Sequence, residues 1–262
     1  MFEDYHVHLD KVDWSIGTIK EMCKIAKSRG VDRLGLVVHT RALEGFEPLY
    51  HDIIADGKNH SKFKFGRSMD QYIDTIVKAK AEGCPVDIGL EVCYSPEGES
   101  FLKKKLKEYP LDFVIGSIHL IEGMHYKTAI EKYNDTDIVG KLYYNLVLNA
   151  AKSGLFDIIG HIEVVRREGI LGLDHFPDIL KNIADSMKEN DCALEMNTKW
   201  LVKRDYLVPD CDTLKYMESK GVKLIFGSDA HHMDRIGFEK DSAFKAIQNA
   251  GYNGFAYLGP KT

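Results

Sequence analysis

The chain is short of the features that mark disulfide-rich, membrane-spanning or polyanion-binding proteins. Its 262 residues include only five cysteines, Cys23, Cys84, Cys93, Cys192 and Cys211. They are odd in number, widely spaced and without a Cys-x-x-Cys pair, which argues against a disulfide framework and a zinc ribbon and makes a reducing cytoplasm the expected setting. No apolar run approaches the roughly 20 residues that a membrane span requires. Residues 1–4 lead into the first apolar run without the basic stretch and apolar core of a secretory signal, so a soluble, unprocessed chain is expected. Positive charge is also scarce: 35 Lys and Arg face 40 Asp and Glu, a formal net charge of −5, which makes a long nucleic-acid partner a poor match. No phosphate-cradling glycine loop follows the first apolar run, which weighs against an open dinucleotide-binding sheet. No internal repeat, low-complexity tract or linker divides the chain. With 44% hydrophobic residues, positions 1–262 are read as one large α/β domain.

What the sequence does contain is a recurring event. Seven short apolar runs, at residues 5–8, 34–39, 86–91, 113–119, 157–161, 193–197 and 222–231, each end in or near His, Glu, Asp or Asn. Between them lie helical stripes: Ile16, Ile19, Cys23 and Ala26; Tyr72, Ile73, Ile76 and Val77; Leu142, Tyr143, Leu146 and Val147; Ile179, Leu180, Ile183 and Met187; Phe244 and Ile247. Such i, i+3, i+4 spacing describes helices covering a sheet. Gly30, Gly83, Gly154 and Gly221 follow helical stripes and suit left-handed C-terminal caps, while Pro177 suits a first helical turn. Seven strand–helix units imply a parallel sheet rolled into a closed or nearly closed barrel. Residues 43–67 lack periodicity and are read as a long functional loop over the ligand-bearing rim. Lys103, Lys104 and Lys105 read as a solvated helix face.

The run ends carry the chemistry. His6 and His8 are two apart on a strand, so both leave the same face with Cα atoms about 6–7 Å apart, close enough to share an ion. Glu91 closes an apolar run, where a carboxylate is costly unless it is paired or metal-bound. His39, His119 and His161 close three further runs, and Asp229 and His231 repeat the two-residue spacing late in the chain. Strand tips aimed at one rim can build a polynuclear metal centre, which points to a metallohydrolase. The plainer readings are a salt bridge for Glu91 and hydrogen-bonded core histidines for His119 and His161. His51, His60, His125, His175 and His232 fall in loops or helix starts and are read as solvent-facing or as backing the site.

Asp4-Tyr5-His6-Val7-His8, the run ending at His39, Gly89-Leu90-Glu91, Gly116-Ser117-Ile118-His119, Gly160-His161-Ile162-Glu163, Leu194-Glu195-Met196-Asn197-Thr198 and Gly227-Ser228-Asp229-Ala230-His231 resemble, in order, the motifs of the PHP (polymerase and histidinol phosphatase) superfamily. Within it the resemblance is to the monofunctional histidinol-phosphate phosphatases. It implies a distorted, TIM-like (β/α)7 barrel with two or three divalent Zn, Mn or Fe ions. His6, His8, Glu91, His119, His161 and Asp229 would be the main ligands, Glu91 bridging two ions, and His39 and His231 would hold a third. Relatives place a further acid about six residues beyond the second histidine of the first strand; that place is Trp14, so Asp13 beside it is taken as the ligand, with Asp10 nearer. Arg167 matches a phosphate-binding arginine, Arg166 is its close rival, and Lys199 stands where relatives carry a second arginine. Asp229 or His231 would protonate the leaving alkoxide.

The resemblance implies hydrolysis of a small phosphate monoester, foremost L-histidinol phosphate, in histidine biosynthesis. The competing readings are a phosphoesterase acting on another phosphate ester or nucleotide, an amidohydrolase-type barrel cleaving C–N bonds, and a metal-loaded binding module without turnover. The amidohydrolase plan also begins with His-x-His but wants a metal-bridging lysine at a middle strand tip, where this chain has Glu91 and His119.

Overall fold

Alternating side chains make each apolar run two-faced, and the two faces have different partners in the folded chain. The computed structural model describes residues 1–50, 65–201 and 206–258. Its strands are β1 (Glu3–His8), β2 (Arg33–Val37), β3 (Val86–Cys93), β4 (Phe113–Ser117), β5 (Ile158–Ile159), β6 (Ala193–Asn197) and β7 (Leu224–Gly227). They form one sheet in sequence order, every neighbouring pair parallel. The seam closes between first and last strands: Val7 bridges Ala230, the His8 amide donates to the Ala230 carbonyl at 2.8 Å, and the Ala230 amide donates to His6 at 3.1 Å. The distorted (β/α)7 barrel is thus the architecture observed.

Four strands stop short of their apolar runs, and at β5 and β7 the reason is visible. After Ile159 the backbone turns, and His161 takes a φ of 25° while its N–H donates to the Glu195 carboxylate at 2.6 Å. After Gly227 the Ser228 amide donates to Asp4 Oδ1 at 2.9 Å, and Asp229 takes a φ of 50°.

The outer layer consists of α1 (Ile16–Ser28), α2 (Met69–Ala81), α3 (Glu99–Lys105), α4 (Tyr126–Tyr133), α5 (Thr136–Lys152), α6 (Pro177–Glu189), α7 (Cys211–Ser219) and α8 (Lys240–Asn249). Ser15 and Ser68 accept from Thr18 and Gln71 amides to cap α1 and α2, and Asp135 and Asp210 cap α5 and α7 in the same way. Pro177 opens α6 as expected, and all four expected C-terminal glycines have positive φ, between 64° and 86°. Val77, counted in the α2 stripe, is 47% exposed: it lies one residue past the buried Ile76 and faces water. Helices α4 and α7 were not expected from the sequence. None of the described helices is long and apolar enough to cross a membrane, and none of the cysteines is in a disulfide. The loop expected at 43–67 is held at its ends by a Leu43–Arg67 bridge; its middle, residues 51–64, with His51 and His60, lies outside the described residues. Arg67 also donates to the Leu9 and Val12 carbonyls at 3.1 and 3.3 Å, tying this loop to the one that follows β1.

Inside the barrel, Tyr5, Val37, Phe113, Ile115, Ile158, Ala193 and Ile225 form one apolar plug, with Ala256 and Leu258 packed against it. The strand-to-helix core is separate and contains the opposite faces: Leu34 and Leu36, Ile88 and Leu90, Leu194 and Met196, Leu224 and Phe226. Inward positions therefore run 35-37-39 on β2, 89-91 on β3, 193-195-197 on β6 and 225-227-229 on β7. The first strand breaks this parity on purpose. Its register against β2 slips between Asp4 and Val7, so Tyr5 joins the plug, Val7 joins the outer core, and His6 and His8 point inward together.

The plug makes a sharp steric demand at Gly89, where a Cβ would fall 2.2 Å from the Phe113 ring. Gly89→Ala should therefore cost about 1–3 kcal/mol through overpacking, read as a lower urea midpoint with unchanged slope. Adding Phe113→Leu should recover a large part of the loss; an additive double mutant would show that the contact is not its source.

Candidate metal centre

Glu91 is 1% exposed and sits at the centre of the inward-pointing strand tips. Its Oε1 lies 3.2 Å from Nε2 of both His119 and His161. Its Oε2 lies 2.9, 3.4 and 3.6 Å from Nε2 of His39, His8 and His6. One carboxylate thus faces five imidazoles. Asp229 flanks the group: its Oδ1 is 3.3 Å from His8 Nε2, 4.0 Å from His6 Nε2 and 3.2 Å from His231 Nδ1. The His231 ring lies over His8 with centroids 3.9 Å apart. Donor atoms lie within 4.8 Å of one another in three overlapping groups: His6, His8 and Glu91; His39, Glu91 and His119; His8, Asp10, His39 and His231.

The far sides of the rings are also organised. Asp10 Oδ2 stands 2.5 Å from His8 Nδ1 and 2.9 Å from His39 Nδ1. An ionised carboxylate can only accept, so each of these Nδ1 atoms carries a proton and each Nε2 is the atom turned to the centre. His6 Nδ1 faces Glu195 Oε1 at 2.6 Å.

Burial, reinforced by His39, lowers His8 to about 4, and burial lowers His119 to about 3. Both are neutral at physiological pH, the form that binds metals. Burial would also lower His6 and His39, but the carboxylates around them outweigh it and raise both. In Glu91 and Asp229 burial is overcome in the other sense: His39 and His119 hold Glu91, and Lys199 and His6 hold Asp229, well below the usual carboxylate range.

These residues fit a group of divalent ions. Glu91 Oε2 is buried without a hydrogen-bond partner although three imidazoles surround it. His6 and His8 bring their Nε2 atoms to 3.0 Å of each other, a repulsive approach for two lone pairs unless a proton or a cation lies between them. His161 and Asp229 hold backbone conformations rare for non-glycine residues, and such strain concentrates where function over-determines geometry.

The structure brings His6, His8, His39, Glu91, His119, His161, Asp229 and His231 together. It does not bring Asp13, which is exposed and whose side chain, among the described residues, reaches only Thr18 Oγ1 at 3.5 Å. Asp10 is the acid that enters, because the chain leaving β1 turns it back toward His8 and His39. Lys199 Nζ contacts Asp229 Oδ1 at 2.8 Å and lies 3.4 Å from His231 Nδ1. Arg166 and Arg167 diverge. Arg166 pairs with Asp210 at 3.1 Å and stacks on Tyr206. Arg167 lies between the rings of Trp200 and Tyr126, 4.8 and 5.2 Å from their centroids, in segments that follow Lys199 and His119. His175 and His232 are exposed, and His125 precedes α4.

Sequence reasoning names Asp10 only as the nearer acid beside the Asp13 choice, and gives Glu195 and Glu163 no role of their own. Glu163 is wholly buried and accepts from the Leu173 and Asp210 amides at 2.6 and 2.7 Å and from Thr213 Oγ1 at 2.9 Å. Burial, with Asp210 nearby, pushes its carboxyl up to about 7. With Asp174 and Asp210 it forms another acidic group, but these bonds and Arg166 already satisfy it, so it latches the segment after β5 to α7.

Comparison with known proteins agrees with this geometry. The PHP domain model matches residues 4–199. A protein named probable histidinol-phosphatase from Deinococcus radiodurans is 29% identical over 256 residues, covering 95% of this chain and 93% of that protein. One of the same name from Clostridium acetobutylicum is 26% identical over 200 residues, covering 72% of this chain and 76% of its own. The crystal structure of histidinol phosphate phosphatase from Lactococcus lactis, complexed with Zn, L-histidinol and phosphate, has the same fold at a TM-score of 0.77 and 19% identity, covering 98% of this chain and 96% of that one. A family model spanning three quarters of the chain, on a barrel whose rim gathers these side chains, means that the chain belongs to the PHP domain family.

Proposed function

We propose that this chain is a divalent-metal-dependent phosphomonoesterase that hydrolyses L-histidinol phosphate to L-histidinol and inorganic phosphate. The observation that carries the reading is the Glu91 carboxylate surrounded by five imidazoles beside Asp229. The substrate is supported by the names of the two relatives and by the ligands of the Lactococcus lactis structure. His6, His8, Glu91, His119, His161 and Asp229 would hold two ions, and His39, His231 and Asp10 would complete a third position, Asp10 taking the part first given to Asp13. When bound, such ions supply a nucleophile at neutral pH and Lewis acidity toward the phosphoryl oxygens.

The protein's own groups bind, orient and move protons. Arg167, held by the rings of Trp200 and Tyr126 and by Glu168 at 3.1 Å on its Nε, would offer its remaining N–H groups to the phosphate. Arg166 is committed to Asp210 and Glu163 and so supports the loop. Lys199 adds a point charge beside Asp229. The leaving alkoxide needs a proton, and Asp229, held ionised by Lys199 and His6, is a poor source; His231 is the better acid. No lysine contacts Glu91 among the described residues, which sets the site apart from the amidohydrolase plan.

The reading is tested with metal-replete protein. Phosphate release from histidinol phosphate should exceed that from p-nitrophenyl phosphate by roughly tenfold or more in kcat/KM, be abolished by a chelator and return with Zn or Mn. Equal rates on both esters would remove the substrate assignment, and turnover of amides instead would favour the C–N hydrolase. Glu91→Gln should lose several orders of magnitude in kcat with an unchanged circular dichroism spectrum.

His231→Ala should slow histidinol phosphate hydrolysis by about 10²–10⁴-fold and affect p-nitrophenyl phosphate far less, because a phenolate leaves without a proton. Equal losses on both substrates would make His231 a ligand only. Arg167→Ala should raise KM and lower kcat together if the guanidinium grips the phosphate in ground and transition states alike; a change in neither would return the role to Arg166.

A further inference from the structure

Glu195 is fully buried within the barrel, on an inward position of β6, and has no part in the ligand set described above. Both of its oxygens are used, each by a different candidate ligand. Oε1 lies 2.6 Å from His6 Nδ1, and Oε2 accepts the His161 backbone N–H at 2.6 Å. The space it occupies is built for it. A Cβ on Gly227 would fall 2.0 Å from Glu195 Oε1, and one on Gly160 would fall 3.5 Å from Oε2. A buried carboxylate is costly, and among the described residues this one has no lysine or arginine as an ion-pair partner, only His6.

We infer that Glu195 is a positioning residue that prepares two metal ligands at once: it fixes the His6 proton on Nδ1, and it pins the turn that carries His161. The inference rests on the metal-centre reading above. Because the carboxylate only accepts, His6 must carry a proton on Nδ1, which leaves Nε2 as the atom turned to Glu91 and His8 and open to an ion. The His161 amide, at a φ of 25°, has left the strand ladder and finds its acceptor in the same side chain. One residue on β6 thereby sets the donor atom of β1 and the backbone at the tip of β5.

Glu195→Gln separates this role from simple packing, because the amide keeps the shape but offers only one acceptor. If its oxygen stays with the His161 amide, its NH2 faces His6 Nδ1, which must then accept and carry its proton on Nε2. If the amide flips, two N–H groups oppose each other at His161. The expected result is a folded variant in which chelator competition shows Zn binding weakened by about 10–100-fold at one or more positions, and in which ¹⁵N-histidine spectra of the Zn-loaded protein show altered tautomer signals for His6. Gly227→Ala, which displaces the carboxylate without removing its charge, should weaken Zn in the same direction.

A lower melting midpoint with wild-type Zn stoichiometry, Zn affinity and His6 tautomer would overturn the inference and leave Glu195 a packing residue. A wild-type chain that binds no Zn or Mn would overturn this inference and the proposed function together. Tight Zn binding that weakens in Glu195→Gln, in a wild-type chain with no phosphatase activity, would support the inference and remove the function alone.

Discussion

A carboxylate buried among five imidazoles is the interaction on which the site depends. Glu91 could not remain ionised at 1% exposure in an apolar barrel, since an unpaired buried charge costs several kcal/mol or is neutralised by a pKa shift. It remains ionised because His39, His119 and His6 converge on it from three other strands. Each of those rings must come from its own strand tip, and parallel strands in sequence order deliver tips to one end of the barrel. The helix layer serves the same end by keeping water from the flanks of the cylinder.

The barrel therefore has two cores stacked along one axis. Near the strand starts, Tyr5, Phe113, Ile115 and their neighbours fill it with carbon. Near the strand ends, the same inward parity carries His39, Glu91, Glu195 and Asp229. A strand with perfect alternation and Tyr5 inward would send His6 and His8 outward. The register slip in β1 resolves that conflict, and Asp4 secures it by accepting from the Ser228 and Gly237 amides, both at 2.9 Å, across the closing seam.

Much of this was legible because strand period is simple. His39, Glu91 and Asp229 lie an even number of residues beyond inward-facing partners, and the barrel follows from seven repeats of strand and helix. Asp13 lies outside the cluster and Asp10 within it; counting along a loop carries no direction, and only the turn after His8 decides which acid enters. Arg166 and Arg167 could not be told apart because they lie in a 3₁₀ turn, where each residue rotates about 120° from the last. Glu195 carries the same signal as Glu91, an acid inside an apolar strand, but it lies two residues short of the strand end at Asn197, so it does not read as a tip residue. Helices α4 and α7 are short, with few apolar positions, and are held by caps and by contacts such as the Glu163 latch that no local pattern announces.

Charge balance explains why the site suits cations rather than extra protons. Asp10, Glu91, Glu195 and Asp229 are four carboxylates, and among the described residues Lys199 is the ammonium in contact with them, which leaves three negative charges to be met within that group. Protons could meet part of this on His6 and His39, whose pKa values are raised. They cannot do so on His8 and His119, which burial holds neutral down to about 4 and about 3. Two of the central imidazoles are thus kept as lone-pair donors in a field that favours positive charge. Divalent ions satisfy both conditions at once, and the surplus positive charge they bring is what a phosphate dianion, gripped by Arg167 on its outer side, would neutralise.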